Sequence, residues 1–418
     1  MRKNRVLSLL LSLVLLLALA LNLTGCAHSI AATDLMAGIV PRTQSDVPET
    51  VPDASCAAAA DFAVRLFRQT YDGNNTLLSP LSVLTALAMT ANGARGETRA
   101  QMERVFGMTI EELNAFFTIY LNLLRSDENG KLSLANAIWL RDVEGFTVKA
   151  DFLQTNADVY GAGAYRAKFD AATVKDVNRW VKDHTDGMID EIIDRLYPDD
   201  LAVLVNALAF DAKWEKPYEK NSQRSSGVFH REDGVDVNVT FLSNTESLYL
   251  SDGDRAVGFI KPYEGGRYAF AALLPDKGIP LPDYLASLDG EKITALLKNA
   301  KRLSVETKLP KFETKYGVNL NTVLPEMGMT DAFSPAYADF TGITETPFYI
   351  GDVLHKTYIE VGEQGTRAGA VTVVKGKSAS ASADEVPSVI LDRPFVYLLF
   401  DTETNIPFFI GVLNDPMG

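Results

Sequence analysis

The chain has 418 residues, with 40 basic against 54 acidic side chains and a formal charge of −14. That excess of carboxylates argues against nucleic acid as a partner, because phosphate binding needs a basic surface. Apolar residues make up 47%, an ordinary share for a globular protein, which leaves room for one large core or two domains.

The beginning of the chain stands apart from the rest. MRKNR is basic, VLSLLLSLVLLLALALNL is a continuous apolar run, and Leu23-Thr24-Gly25-Cys26 closes it. A basic start, an apolar run and small residues mark a secretory signal. The closing four residues resemble a bacterial lipobox, which implies a signal peptide over 1–26 and lipidation of Cys26 as the first mature residue. A plain signal anchor is the alternative, since the run is almost long enough to span a bilayer. Ala27 to about Ser55 is rich in Ala, Pro, Thr and Asp, with little periodicity. It reads as a flexible tether with a reach of about 30 Å. Cys56 is the only other thiol, so no internal disulfide is expected in the mature chain and packing must supply stability. Cys56 itself reads as a small buried helix residue.

From Cys56 to Tyr71 apolar residues recur at helical spacing. Leu77 to Thr90 reads as a second helix, with Ser79-Pro80 in cap and first-turn positions. Gly96–Phe106 and Ile110–Leu124 suggest two more. LSLANAIWL at 132–140 alternates as a strand does, Lys149–Tyr160 is helical, and Thr173–Leu196 reads as a longer amphipathic helix containing Trp180. LAVLVNALAF at 201–210 is an apolar run of the kind buried on both faces of a sheet. After Trp214 short alternating runs dominate (GVDVNVTFL, SLYL, AVGFIKPY, RYAFAALLP) and read as antiparallel hairpins. Tyr284–Lys298 is again helical, and strands return at the end with one helix near Leu320–Met327. Helices gather early and strands late without a βαβ rhythm, which predicts an α+β fold.

The motifs of enzymes are missing. The four histidines, His28, His184, His230 and His355, form no His-Glu-x-x-His pair and no zinc spacing with the cysteines. Gly376-Lys377-Ser378 would need a glycine at Val371 to end a phosphate loop. Paired carboxylates at Glu111-Glu112 and Asp199-Asp200 read as solvated faces. A hydrolase stays open on the residues alone, but no motif supports one, and no cofactor or metal is expected.

Glu363–Pro387, EQGTRAGAVTVVKGKSASASADEVP, is the unusual segment. It holds no aromatic residue and no Leu or Ile, yet dense apolar runs flank it. As a strand from Thr366 it carries Thr366, Ala368, Ala370, Thr372 and Val374 on one face and Arg367, Gly369, Val371, Val373 and Lys375 on the other. Both charges share one parity, so the other is fit for burial. KGKSASASADEVPS then reads as an exposed, mobile loop. On pattern alone an edge strand leading into a surface loop explains it equally well.

The residues around the segment resemble the hinge of the serpins, the serine protease inhibitor family. They are His355-Lys356-x-x-Ile359-Glu360-Val361-x-Glu363-Gln364-Gly365-Thr366-x-Ala368. Further motifs resemble the family in its order: Asn75-x-Leu77-Leu78-Ser79-Pro80-x-Ser82, Asn92-Gly93-Ala94-x-Gly96-x-Thr98, and Asn206-Ala207-Leu208-x-Phe210-x-x-x-Trp214-x-x-Pro217-Tyr218. Leu309-Pro310-Lys311-Phe312, Met329-Thr330-Asp331-Ala332-Phe333, Asp392-Arg393-Pro394-Phe395 and Gly411-x-x-Asn414-x-Pro416 continue the series. The resemblance covers about 56–418 and implies a serpin-like fold of about nine helices and three β-sheets, with an exposed reactive-centre loop at about 363–390.

The resemblance also implies a mechanism. A serine protease cleaves the loop, an acyl-enzyme forms, the hinge inserts into the main sheet, and the tethered protease is distorted and trapped. Thr366, Ala368, Ala370 and Thr372, after Glu363 and Gly365, would be the hinge. Glu363, Lys311 and Trp214 would form a cluster at the top of the sheet. Ser79, Ser82, Asn206 and His355 would form a polar cluster under its centre, where strands part, with His355 structural rather than a catalytic base. Counting fourteen residues past Gly365 puts the scissile bond at Ala379-Ser380, and those residues would span about 46 Å at strand rise. Ala379 points to an elastase-like or subtilisin-like protease as partner, Lys377-Ser378 to a trypsin-like one. Arg367 and Gly369 depart from the family's usual acidic residue and alanine. The expected protein is a monomer, lipid-anchored on the extracellular face of a bacterial membrane or released. A non-inhibitory serpin acting as a carrier, or an unrelated ligand-binding surface lipoprotein, are the alternatives.

Overall fold

The computed structural model describes residues 30–42, 47–125, 131–197, 200–218, 224–366 and 386–417. A short strand β1 (Thr33–Asp34) precedes helix α1 (Asp53–Thr70). Strand β2 (Thr76–Leu78) leads into α2 (Pro80–Ala91), then α3 (Gly96–Phe106) and α4 (Ile110–Arg125). Next come β3 (Lys131–Arg141), α5 (Ala150–Tyr160), β4 (Gly163–Ala167), α6 (Ala171–His184) and β5 (Ala202–Lys213). Four strands follow: β6 (Arg224–His230), β7 (Asp236–Ser251), β8 (Ala256–Pro262) and β9 (Tyr268–Pro275). After α7 (Leu281–Ala286), α8 (Gly290–Lys298), β10 (Lys301–Pro310), β11 (Phe312–Asn319) and α9 (Val323–Glu326) come β12 (Asp352–Val361) and β13 (Gly365–Thr366). The chain closes with β14 (Ser388–Ile390), β15 (Phe395–Asp401) and β16 (Pro407–Leu413).

Several elements differ from the periodicity reading, each for a local reason. Helix α1 begins at Asp53, whose carboxylate in the first turn suits the positive end of the helix dipole. Leu77 and Leu78 are strand, paired with Gly411 and Ile410, and the helix starts only at Pro80. Helix α6 stops at His184 instead of Leu196, because Asp186 and Gly187 turn to the left-handed region. The amides of Ile192 and Ile193 then bond Asn178 Oδ1 at 2.8 and 3.0 Å, returning the chain to α6 without helix. The single helix expected over Tyr284–Lys298 is two helices. Asp289 caps the second by accepting from the Lys292 amide at 2.7 Å. Gly290 there lies against α1, where a Cβ would come within 2.3 Å of the Asp61 nitrogen.

Two hydrogen-bonded networks organise the strands. The first has the order β1-β4-β3-β5-β13-β12-β11. The second runs β14-β10-β7-β8-β9-β15-β16-β2, with β6 also on β7. Strand β7 is 16 residues long and passes from β6 and β10 to β8. It thereby joins what would otherwise be two sheets. The main core lies between the networks and around α2, all twelve of whose residues are buried. A smaller cluster (Trp139, Val177, Trp180, Val181, Val203, Val205) packs α6 on the other face of the first network.

Part of the segment expected as a tether is placed against this body. Strand β1 pairs with β4 at the sheet edge, and the Ala31 and Ala32 amides donate to Asp176 Oδ2 at 2.7 and 3.2 Å. Arg42 grips the Asp158 carboxylate with its backbone amide and guanidinium. Backbone partners and one bidentate pair hold this stretch, and neither leaves an apolar period in the sequence.

Candidate functional site

Strands β5 and β12 are neighbours, but only at one end. Val203–Asn206 pair in parallel with Asp352–His355. At the other end β13 lies between them: Thr366 is opposite Ala212 on β5 and Val361 on β12. Among the described residues no rung joins 207–211 to 356–360, a stretch of about 17 Å at strand rise.

The rung where the two strands last meet, Asn206 opposite His355, carries a polar cluster. The Ser79 amide donates to His355 Nε2 at 2.9 Å, so the ring proton sits on Nδ1 and is given to Asn206 Oδ1 at 2.7 Å. Ser82 Oγ donates to the same Oδ1 at 3.0 Å, and Asn206 Nδ2 reaches the Leu354 carbonyl at 3.5 Å. All four residues are buried. Burial pushes the His355 pKa down to about 3, which keeps the ring neutral and able to accept from Ser79. The four residues expected under the sheet centre are thus brought together, with Ser79 taking part through its backbone. Ser79 can do so because it caps α2, whose first amides have no partner within the helix.

At the other end Gly362, Glu363 and Gln364 are held by their carbonyls. Trp214 Nε1 donates to Gly362 O at 2.9 Å, the Trp214 amide to Gln364 O at 2.8 Å, and the Tyr218 amide to Glu363 O at 2.8 Å. The Glu363 carboxylate meets Lys311 Nζ at 3.0 Å and also the Arg224 guanidinium. Glu363, Lys311 and Trp214 are therefore together, and Arg224 is a second cation that sequence reading missed. Gly365 packs so closely on β5 that a Cβ would lie 2.0 Å from the Ala212 oxygen. Thr366 is 2% exposed and shares a hydrogen bond with the Tyr263 hydroxyl. The Tyr263 ring stacks on Trp214 at 4.4 Å between centroids. Tyr263 gave no sequence signal, because the run AVGFIKPY that holds it reads as an ordinary hairpin strand.

Cys26, Ala368, Ala370, Thr372, Lys377, Ser378, Ala379 and Ser380 lie outside the described residues.

Among the described residues, then, Gly365 and Thr366 sit between β5 and β12 at one end of the first network, and the two strands pair with each other at the other end. The comparisons give this arrangement its family. The model of the family described as serpin (serine protease inhibitor) matches residues 57–416, and the chain belongs to the serpins. An uncharacterised serpin-like protein of Thermococcus kodakarensis is 31% identical over 389 residues, covering 90% of this chain and 89% of that protein. Plasminogen activator inhibitor 1 of Bos taurus is 32% identical over 384 residues, covering 87% and 93%. The crystal structure of tengpin, a thermophilic serpin, in the native state superposes with a TM-score of 0.86. It is 41% identical and covers 92% of this chain and 99% of that one. The fold is the α+β serpin fold, and serpins are for the most part protease inhibitors rather than catalysts.

Proposed function

We propose that this serpin is a suicide-substrate inhibitor of a serine protease, using residues 363–390 as its reactive-centre loop. The observation that carries this reading is β13, seated between β5 and β12 at the head of a stretch where, among the described residues, those two strands share no rung. Extending both of its ladders residue by residue gives a register for the whole hinge. Ala368 would fall beside Phe210 and Ile359, Ala370 beside Leu208 and Thr357, and Thr372 beside Asn206 and His355. These neighbours are buried, and small side chains suit them. On the other parity Arg367 would fall between Asp211 and Glu360, and Lys375 beside Asp352. Between them Val373 would reach Val205 and Leu354, the apolar surface that α6 covers. In that register the departure of Arg367 from the family pattern would be matched by acidic neighbours.

Completing the insertion requires the rungs from Asp352 to His355 to open and the His355–Asn206 bond to move. Strain released by insertion would do the work of displacing a tethered protease. The bond proposed for cleavage is Ala379-Ser380, by an elastase-like or subtilisin-like enzyme, with Lys377-Ser378 and a trypsin-like enzyme as the second choice. The chain is further proposed to comprise a signal over 1–26, lipidation at Cys26, a tether within 27–55 and the serpin body over 56–418. It would act as a monomer on the outer face of a bacterial membrane, or after release. No helix among the described residues is long and apolar enough to cross a membrane.

The test mixes residues 27–418 with elastase, subtilisin and trypsin and resolves the products on denaturing gels and by mass spectrometry. An adduct that survives denaturation, with a C-terminal fragment beginning at Ser380, is expected. Clean cleavage without an adduct by every serine protease tried would move the function to a non-inhibitory carrier.

A further inference from the structure

Directly behind the hinge lies a buried charge pair that neither the polar cluster nor the hinge contacts account for. Lys261, near the end of β8, has a side chain 1% exposed, and Glu246 on β7 one 4% exposed. Lys261 Nζ donates to Glu246 Oε1 at 2.7 Å and to the Lys216 carbonyl at 3.0 Å. It also lies 4.4 Å from the Tyr218 ring centroid and 5.4 Å from that of Trp214. Glu246 receives a further bond from Asn244 Nδ2 at 3.1 Å. Burial pulls the Lys261 ammonium below its usual range, and Glu246 pulls it back.

An apolar side chain would fill this aromatic surround without the desolvation penalty of two ions. Buried ion pairs are, however, directional where apolar contacts are not, and can fix one arrangement over others. Here the ammonium is aimed at the backbone of 215–218. That short stretch is neither helix nor strand, and the Glu215 amide ties it to the Pro262 carbonyl of β8 at 3.0 Å. Trp214 and Tyr218, at its two ends, are the residues whose N–H groups hold the carbonyls of Gly362, Glu363 and Gln364.

We propose that Lys261 and Glu246 are positioning residues for strand insertion: their pair anchors 215–218 and so fixes the three donors that hold the hinge at the mouth of the sheet. The insertion step rests on the inhibitor reading above. The anchoring step does not.

The experiment uses the chain from residue 27 and three variants: Lys261→Arg, Glu246→Gln and the double variant Lys261→Met with Glu246→Leu. Three quantities are read: the melting temperature, amide exchange at Trp214 and Tyr218, and the rate of tryptophan fluorescence change after loop cleavage by excess subtilisin. The double variant leaves no charge buried, so it should melt close to the parent. Its Trp214 and Tyr218 amides should exchange about tenfold faster and its insertion should slow about tenfold, which is about 1.4 kcal/mol. Lys261→Arg, which keeps a cation, should leave both at the parent values. Parent exchange and parent insertion rates in the double variant would overturn the proposal. If the double variant fails to fold, Glu246→Gln decides, since it keeps a hydrogen-bond acceptor while removing the charge. Unchanged exchange there refutes the anchor. A parent protein whose fluorescence and stability ignore loop cleavage would refute insertion, while amide exchange would still judge the anchor.

Discussion

Replacing Thr366 by arginine should turn an inhibitor into a substrate, and replacing it by valine should not. Thr366 is 2% exposed, with rungs to Ala212 and Val361 and a hydroxyl bonded to Tyr263. Arginine at this site has two courses. Staying buries an uncompensated cation, which costs several kcal/mol. Leaving forfeits the rungs of β13, about 1 kcal/mol each, or about 2–3 kcal/mol in all. Leaving is cheaper, so the intact protein should lose only a few degrees of melting temperature. Insertion would then start without its first residues. A barrier higher by about 3 kcal/mol slows it about 100-fold, and hydrolysis of the acyl-enzyme overtakes trapping. Valine keeps the shape and removes the hydroxyl, leaving the buried Tyr263 oxygen without this partner at a cost of about 1–2 kcal/mol. The assay is the ratio of denaturation-resistant adduct to cleaved product on gels with an excess of protease. Adduct from Thr366→Val and only cleaved chain from Thr366→Arg are expected. Parent-like trapping by Thr366→Arg would refute the reasoning from burial.

Other consequences follow from the same geometry. His355 is buried with its pKa lowered to about 3 against about 6.5 unfolded. The unfolded chain therefore binds the extra proton first, and His355 contributes stability above pH about 6.5 that is lost as pH falls toward 3. The slope is about 1.4 kcal/mol per pH unit at its steepest. Denaturant melts at pH 5–8 should show a smaller slope for His355→Gln, and an equal slope would contradict the neutral buried ring. Arg367→Glu would set a third carboxylate beside Asp211 and Glu360 in the inserted register. The cleaved form should lose about 1–2 kcal/mol while the intact form is unchanged, read as separate melting temperatures of the two forms. Asp158→Ala removes the acceptor that Arg42 grips. Trypsin should then cut after Arg42 faster with no shift in melting temperature, whereas unchanged cutting would mean that the contact does not hold the segment.

How much of this was legible in the sequence depended on which interactions encode each part. Helix α3 carries its own boundaries, an acidic first turn at Glu97 and a left-handed Gly107 after its end, and it was read from 96 to 106. Periodicity could not see that Leu77 and Leu78 belong to a sheet, because their partners Gly411 and Ile410 are far along the chain. It also ran through the breaks at Asp186-Gly187 and Ser287–Asp289, where the apolar spacing continues but the backbone turns. The polar cluster at His355 could be anticipated only by resemblance. No local pattern says that a histidine, an asparagine and two serines will meet. Lys261 and Glu246 were invisible for the opposite reason, since charged residues in hairpin strands read as solvent-facing. Tyr263 and Arg224 act through contacts across the sheet mouth that no spacing encodes.

The most direct measurement of the central claim, that the first sheet is built to take residues 366–375 as a strand, is heat resistance before and after cutting the loop. The chain is cleaved once near Ala379 by limited subtilisin, and unfolding of both forms is followed by circular dichroism. Insertion would add rungs on both sides, on β5 from Asp211 down to Val203, and the cleaved form should melt about 10 °C or more above the intact one. A cleaved form that melts at or below the intact temperature would mean that the strand does not enter, and the account would fail.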